Sequence, residues 1–209
     1  MSGPEIRSRL RAGVALLAAA GFAIACAGLQ PSHRAPALVS DPGGFTITES
    51  VRASGSARAS FEAAVRALEQ KQYESGIAEM TRLTEAAPDA TSAHINLAIA
   101  YRETNDLARA EESLKKALAI NPLHPAALNE LGVVYRRMGR FAEARKSYEQ
   151  ALAIYPNFHF ARRNLAILCD LYLRDTPCAL EQYELYLQAV PGDQQAATWV
   201  ADLRARAGK

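Results

Sequence analysis

At intervals of 34 residues the chain returns to the same spacing of small, aromatic and aliphatic side chains. Leu131, Gly132, Tyr135, Phe141, Ala144, Tyr148, Ala151 and Pro156 mark the clearest copy, Pro125 to Phe158. One interval earlier, the same places hold Leu97, Ala98, Tyr101, Leu107, Ala110, Leu114, Ala117 and Pro122. Another interval back they hold Ala63, Ala64, Ala67, Tyr73, Gly76, Met80, Leu83 and Pro88. Forward, Leu165, Ala166 and Cys169 match directly. One extra residue in the next turn, read as Arg174-Asp175-Thr176-Pro177, then shifts Ala179, Tyr183, Tyr186 and Pro191 by one. Within a copy the apolar residues recur at three- and four-residue steps, which is the helical period. The run breaks at a short turn such as Met138-Gly139-Arg140 and closes at a proline, which cannot continue a helix. Each copy is thus predicted to be a pair of short amphipathic helices. Such a pair cannot bury its apolar faces alone, so the repeat implies a stack.

The pattern L-G-x-x-Y, then A-x-x-x-F/Y-x-x-A, then P resembles the tetratricopeptide repeat family. The resemblance covers roughly residues 57 to 193 and implies an all-α, right-handed superhelical α-solenoid of about four helix pairs. The units are expected at 57–90, 91–124, 125–158 and 159–193. The third unit departs from the family only at its first aromatic, where Leu128 stands for tryptophan. In residues 194–209, Trp199, Val200 and Leu203 share one side while Asp202, Arg204 and Arg206 lie elsewhere, as suits a capping helix and tail. Small residues pair across each hairpin, Gly132 with Ala144, Ala98 with Ala110 and Ala166 with Ala179, where the two backbones are expected to approach.

The front of the chain has a different character. Arg7, Arg9 and Arg11 precede an apolar run of 14 residues, Ala12 to Ala25. That is shorter than the roughly 20 residues a spanning helix needs, so residues 1–25 read as a signal peptide. Ala23-Ile24-Ala25-Cys26 resembles a bacterial lipobox, whose cysteine becomes the lipidated first residue of the mature protein. The alternative is an ordinary signal peptide with an incidental cysteine. Ala27 is not aspartate, which in lipoproteins implies the periplasmic face of the outer membrane of a Gram-negative cell. Residues 26–56 follow as a lipidated end and flexible tether, rich in Ser, Pro, Gly and Ala. Within them Phe45, Ile47, Glu49 and Val51 alternate with polar residues, either an extended segment that docks or chance alternation in a linker. Loss of Arg7, Arg9, Arg11 and Glu5 with the leader takes 24 basic and 22 acidic residues to 21 of each. A neutral chain lacks the basic footprint that nucleic acid requires.

No catalytic constellation is present: neither G-x-S-x-G, a phosphate-binding glycine loop, H-E-x-x-H nor C-x-x-C. His33, His94, His124 and His159 are not spaced for a metal site on one helix face. Glu111 and Glu112 with Lys115 and Lys116 form i,i+4 pairs of a solvated face. The chain is therefore not read as an enzyme, and no cofactor, metal or small-molecule substrate is expected. With Cys26 assigned to the lipid, Cys169 and Cys178 remain as an even pair. Cys169 takes the place of Tyr135 and Tyr101 on the inner side of a first helix, and Cys178 starts its partner. They form a disulfide in an oxidising compartment or stay as two small buried thiols.

In this family the first helix of each copy lines a concave face that binds partner segments. The positions concerned are Ile95, Asn96, Ile99, Arg102 and Glu103 in the second copy, and Ala126, Asn129, Glu130, Val133, Arg136 and Arg137 in the third. In the fourth they are Phe160, Arg163, Asn164, Ile167, Asp170 and Leu171. Asn96, Asn129 and Asn164 are expected to bond an extended peptide, and Arg102, Arg136 and Arg163 to receive a carboxylate in a guanidinium fork. Alternatively, these arginines belong to a solvated face. Glu130 stands where the family's carboxylate-clamp subclass has a basic residue, so that mode is not expected. The resemblances together imply a membrane-anchored scaffold or adaptor for a cell-envelope protein or peptide, in pilus or secretin assembly or beside a cell-wall enzyme. The alternative is a non-catalytic subunit or redox-active component of an envelope enzyme complex using Cys169 and Cys178.

Overall fold

The structure, a computed structural model, describes residues 37–41, 44–48 and 55–208. The signal peptide, Cys26 and His33 lie outside the described residues. Helices run in four hairpins: α1 (Gly55–Glu69) with α2 (Tyr73–Ala86), α3 (Thr91–Glu103) with α4 (Leu107–Ile120), α5 (Pro125–Arg137) with α6 (Phe141–Ile154), and α7 (His159–Ile167) with α8 (Thr176–Ala189). A last helix, α9 (Gln194–Arg206), lies against α8. The first helices touch one another in sequence, α1 to α3 to α5 to α7, and so form a continuous inner layer. The second helices each pack between neighbouring first helices and form the outer layer. This is an all-α solenoid. The described residues also include a β-hairpin, β1 (Ala37–Asp41) antiparallel to β2 (Gly44–Thr48), within the stretch read from sequence as a tether. Ala37 pairs with Thr48 and Asp41 with Gly44, and β2 lies against α3.

One turn geometry recurs in all four hairpins. Lys71, Asn105, Gly139 and Arg174 each adopt a left-handed conformation, with φ between 55° and 76°. The following residue, Gln72, Asp106, Arg140 or Asp175, caps the second helix and returns its N–H to a carbonyl of the first. In three copies that bond spans five residues, Gln72 to Ala67, Asp106 to Tyr101 and Arg140 to Tyr135. In the fourth it spans six, Asp175 to Cys169 at 2.8 Å. The extra residue of the fourth copy therefore does not lengthen the turn, as the sequence reading placed it. It is absorbed upstream, where Leu168–Leu173 widens into a π-helical turn that continues α7. Pro177 is not a turn residue either; it sits in the first turn of α8, where its missing N–H costs nothing.

The core follows the repeat positions. Met80, Leu114, Tyr148 and Tyr183, one from each outer helix, are fully or almost fully buried, and Ala110, Ala144 and Ala179 have no exposed surface. Gly132 meets the ring of Tyr148: a Cβ built there would stand 2.5 Å from a ring carbon. The glycine makes room for an aromatic ring. Successive units are also tied by a repeated polar clamp. His94 Nε2 lies 3.0 Å from the Pro88 carbonyl, and Arg162, two intervals later in register, donates to the Pro156 carbonyl at 2.6 Å. Each side chain reaches back to the proline that ended the preceding outer helix.

Candidate functional site

The candidate surface is the inner layer. Helical spacing turns Ile99, Arg102, Asn129, Glu130, Val133, Arg136, Arg163 and Asn164 toward that side, and their polar groups meet there. Arg102 stands 2.9 Å from Glu103 and 3.2 Å from Glu130. Asn129 donates to Glu130 at 3.2 Å, and Asn164 donates to Asn129 at 2.9 Å. One polar series thus joins α3, α5 and α7. The side chains that the sequence reading offered to a peptide thus already have partners within the inner layer. Asn96, Asn129, Glu130 and Val133 are buried, and Asn129, Glu130 and Asn164 bond one another before any peptide arrives. Arg102 is likewise committed to carboxylates already present. Exposed Arg137 donates to the Arg102 carbonyl at 2.7 Å and to Asn105 at 3.1 Å, pinning the end of α5 to the preceding turn. Ile99 is half-buried beside the core.

The remaining cations are less neutralised. Arg163 lies 5.5 Å over the Trp199 ring and 3.9 Å from Asp193. Arg136 is half-buried, its guanidinium 5.7 Å over Tyr172, and no carboxylate pairs with it among the described residues. Burial works against its charge, yet the neighbouring Tyr148 and Tyr172 phenols hold its proton above the ordinary arginine value. The effect is mutual: burial pushes the Tyr148 phenol up to about 12, against the pull of Arg136.

Cys169 and Cys178 are joined in a disulfide with their Cα atoms 5.9 Å apart. The bond crosses from the π-helical turn to the first turn of α8, so it staples the segment that carries the extra residue. Asp175 lies beside the two sulfurs, but with both in the bond the group offers no thiolate to a metal. Sequence reasoning missed Tyr172, which the π-turn leaves half-exposed with its ring 4.9 Å from Phe141. The signal was the one-residue slip in the fourth copy. Outside the inner layer, a cleft of about 540 Å³ between α2 and α4 is lined by His94, Tyr101, Arg109 and Lys116. Its basic groups are already matched, Arg109 by Asp106 and Lys116 by Glu112.

Four stacked helix hairpins with a continuous inner face define an α-solenoid of the protein-interaction class. The chain is a tetratricopeptide repeat protein. The family profile described as "Tetratricopeptide repeat" matches residues 61–123 and 96–157. Among solved structures, MamA 41-end from Desulfovibrio magneticus RS-1 shares 17% identity over 74% of this chain and 87% of its own, with a TM-score of 0.64. Pseudomonas aeruginosa pilF shares 23% identity over 72% of this chain and 68% of its own, with a TM-score of 0.66. The first TPR of Spaghetti (RPAP3), solved bound to the HSP90 peptide SRMEEVD, shares 26% identity over 56% of this chain and 94% of its own, with a TM-score of 0.54. No curated protein matches in sequence. The first two likenesses concern the fold alone.

Proposed function

We propose that this chain is a membrane-anchored scaffold lipoprotein that binds a protein or peptide segment of the cell envelope on its inner helical layer. The observation that carries the reading is the inner layer itself. Asn129, Glu130 and Asn164 are engaged with one another and with Arg102, while Arg136 at the end of α5 and Arg163 on α7 are left without full neutralisation. The structural likeness to a repeat domain solved with a bound peptide supports it. The anchor rests on Cys26 and its flanking residues; among the described residues no helix is long and apolar enough to cross a membrane.

Two measurements test the halves separately. Labelling cells with a clickable palmitate should mark the wild type and spare Cys26→Ser; equal labelling removes the lipid anchor. In-cell crosslinking followed by mass spectrometry should return a partner set that Arg136→Glu with Arg163→Glu loses. An unchanged set returns these arginines to a solvated face. The disulfide favours a second reading, a redox-active component of an envelope enzyme complex. A Cys169→Ser, Cys178→Ser protein that keeps its partners and supports their activity ends that reading.

A further inference from the structure

The π-helical turn is where this solenoid departs from its own repeat, and the departure builds a surface. The inserted residue rotates Leu171 and Tyr172 out of the helical register, leaving Leu171 66% and Tyr172 42% exposed. The Tyr172 ring is not loose: it rests on Phe141 and carries the Arg136 guanidinium on its face. The Cys169–Cys178 bond fixes the turn from beneath. Two exposed apolar side chains are thus held on a stiff base, the condition under which burial by a partner gains most.

The charge around them is one-sided. Arg136 has no carboxylate partner among the described residues, and exposed Arg174 makes no ion pair there either. The acids on either side are engaged, Asp170 by Arg206 at 3.2 Å and Asp175 by Arg145 at 3.2 Å while it caps α8. Unmatched guanidinium beside exposed apolar surface is complementary to a carboxylate set next to a large apolar side chain. We infer that the π-turn of the fourth copy is the partner-anchoring platform, taking a short segment of another protein in which an acidic residue adjoins a large aliphatic or aromatic one. The carboxylate forks onto Arg136, and its apolar neighbour covers Leu171 and Tyr172. This rests on the scaffold reading and names the chemistry of its partner.

The probe is a random dodecapeptide display library panned against the full oxidised chain. Enriched peptides should carry Asp or Glu next to Leu, Phe, Tyr or Trp. A synthesised winner, followed by fluorescence anisotropy, should lose about tenfold or more in affinity with Arg136→Gln and with Leu171→Ser plus Tyr172→Ser. Lys116→Gln on the outer layer should leave it unchanged, and circular dichroism should show each variant folded. Winners without a carboxylate, or affinities that these substitutions do not move, overturn the platform. Winners released only by Arg163→Gln overturn it while keeping the scaffold reading, whereas a library yielding no binder counts against both. Sedimentation showing a dimer that Leu171→Ser dissolves makes a second copy the occupant and also overturns it.

Discussion

Asn164 donates its side-chain amide to the Asn129 carbonyl oxygen at 2.9 Å, across 35 residues of sequence and one copy of the repeat. The contact is one link of a series, because Asn129 in turn donates to Glu130, and Glu130 faces Arg102. Asn129 and Glu130 are both buried, so each depends on these partners in place of water. Asn129→Ala removes an acceptor and a donor together and leaves the Glu130 carboxylate short of a bond. The expected loss is about 1–3 kcal/mol, since an unmet buried polar group costs more than a made bond returns. A urea titration should show a lower midpoint at unchanged slope. An unmoved midpoint means the series contributes nothing to folding.

Gly132 and Gly139 look alike in sequence but should respond in opposite ways. A methyl at Gly132 would stand 2.5 Å from the Tyr148 ring, which is buried and has nowhere to go. Gly132→Ala should cost about 1–3 kcal/mol through overpacking, and Ala144→Leu, at a wholly buried site, a similar amount. Gly139 has nothing within 4 Å of its missing Cβ, and only its φ of 76° restricts what can replace it. Asn105 already holds the equivalent turn at 62°, so Gly139→Asn should shift stability by less than about 0.5 kcal/mol. Melting temperatures of the three variants decide the contrast; an unperturbed Gly132→Ala would mean that Tyr148 can move aside.

The repeat was legible because it is written in packing residues. Leu131, Tyr135, Ala144 and Tyr148 recur at fixed intervals since every copy must present the same shape to the next, and that requirement reaches the sequence as periodicity. The site was legible only in part. Register alone says which side chains lie on the inner layer, but not whether they meet. That Asn129 and Asn164 bond each other, and that Arg102 is held by Glu103 and Glu130, depends on distances between copies that no single-copy pattern contains. The π-turn shows a sharper limit. One inserted residue is visible by counting, yet a longer loop and a widened helix give the same count. What separates them is the conserved geometry of the turn: Arg174 takes the left-handed place and Asp175 the cap, so the surplus is forced back into the helix.

The disulfide spans nine residues, a short loop. A crosslink of that length restricts the unfolded chain enough to stabilise the fold by about 2–3 kcal/mol. In a chain carrying Cys26→Ser, adding reductant should lower the urea midpoint, and Cys169→Ser with Cys178→Ser should lower it equally with no further effect of reductant. Thiol titration of the unreduced, denatured Cys26→Ser chain should find no free thiol. Two free thiols would show that the pair is not bonded in solution.

Asp193 offers a test by pH, because it holds the last helix from three sides. It accepts the Ala196 N–H at the start of α9 and the Tyr186 hydroxyl at 2.7 Å, and it lies 3.9 Å from Arg163. The Ala196 bond, above all, draws its carboxyl below the ordinary value of 3.8, with Tyr186 and Arg163 adding to it while burial opposes. A carboxyl that binds its proton more weakly when folded favours the fold while ionised. Its contribution is therefore complete above 3.8 and disappears as pH falls through the lower folded value. Asp193→Asn keeps an oxygen for the Ala196 N–H but lacks the charge. The variant should be less stable than wild type at neutral pH, and the gap should close in acid below 3.8. Trp199, the chain's one tryptophan, packs 5.4 Å from Tyr183 and reports α9 directly by its fluorescence. Other carboxyls held low, Glu111 and Asp106 among them, are common to both proteins and cancel in the comparison. A stability gap that stayed constant into strong acid would show that the charge of Asp193 plays no part in holding α9.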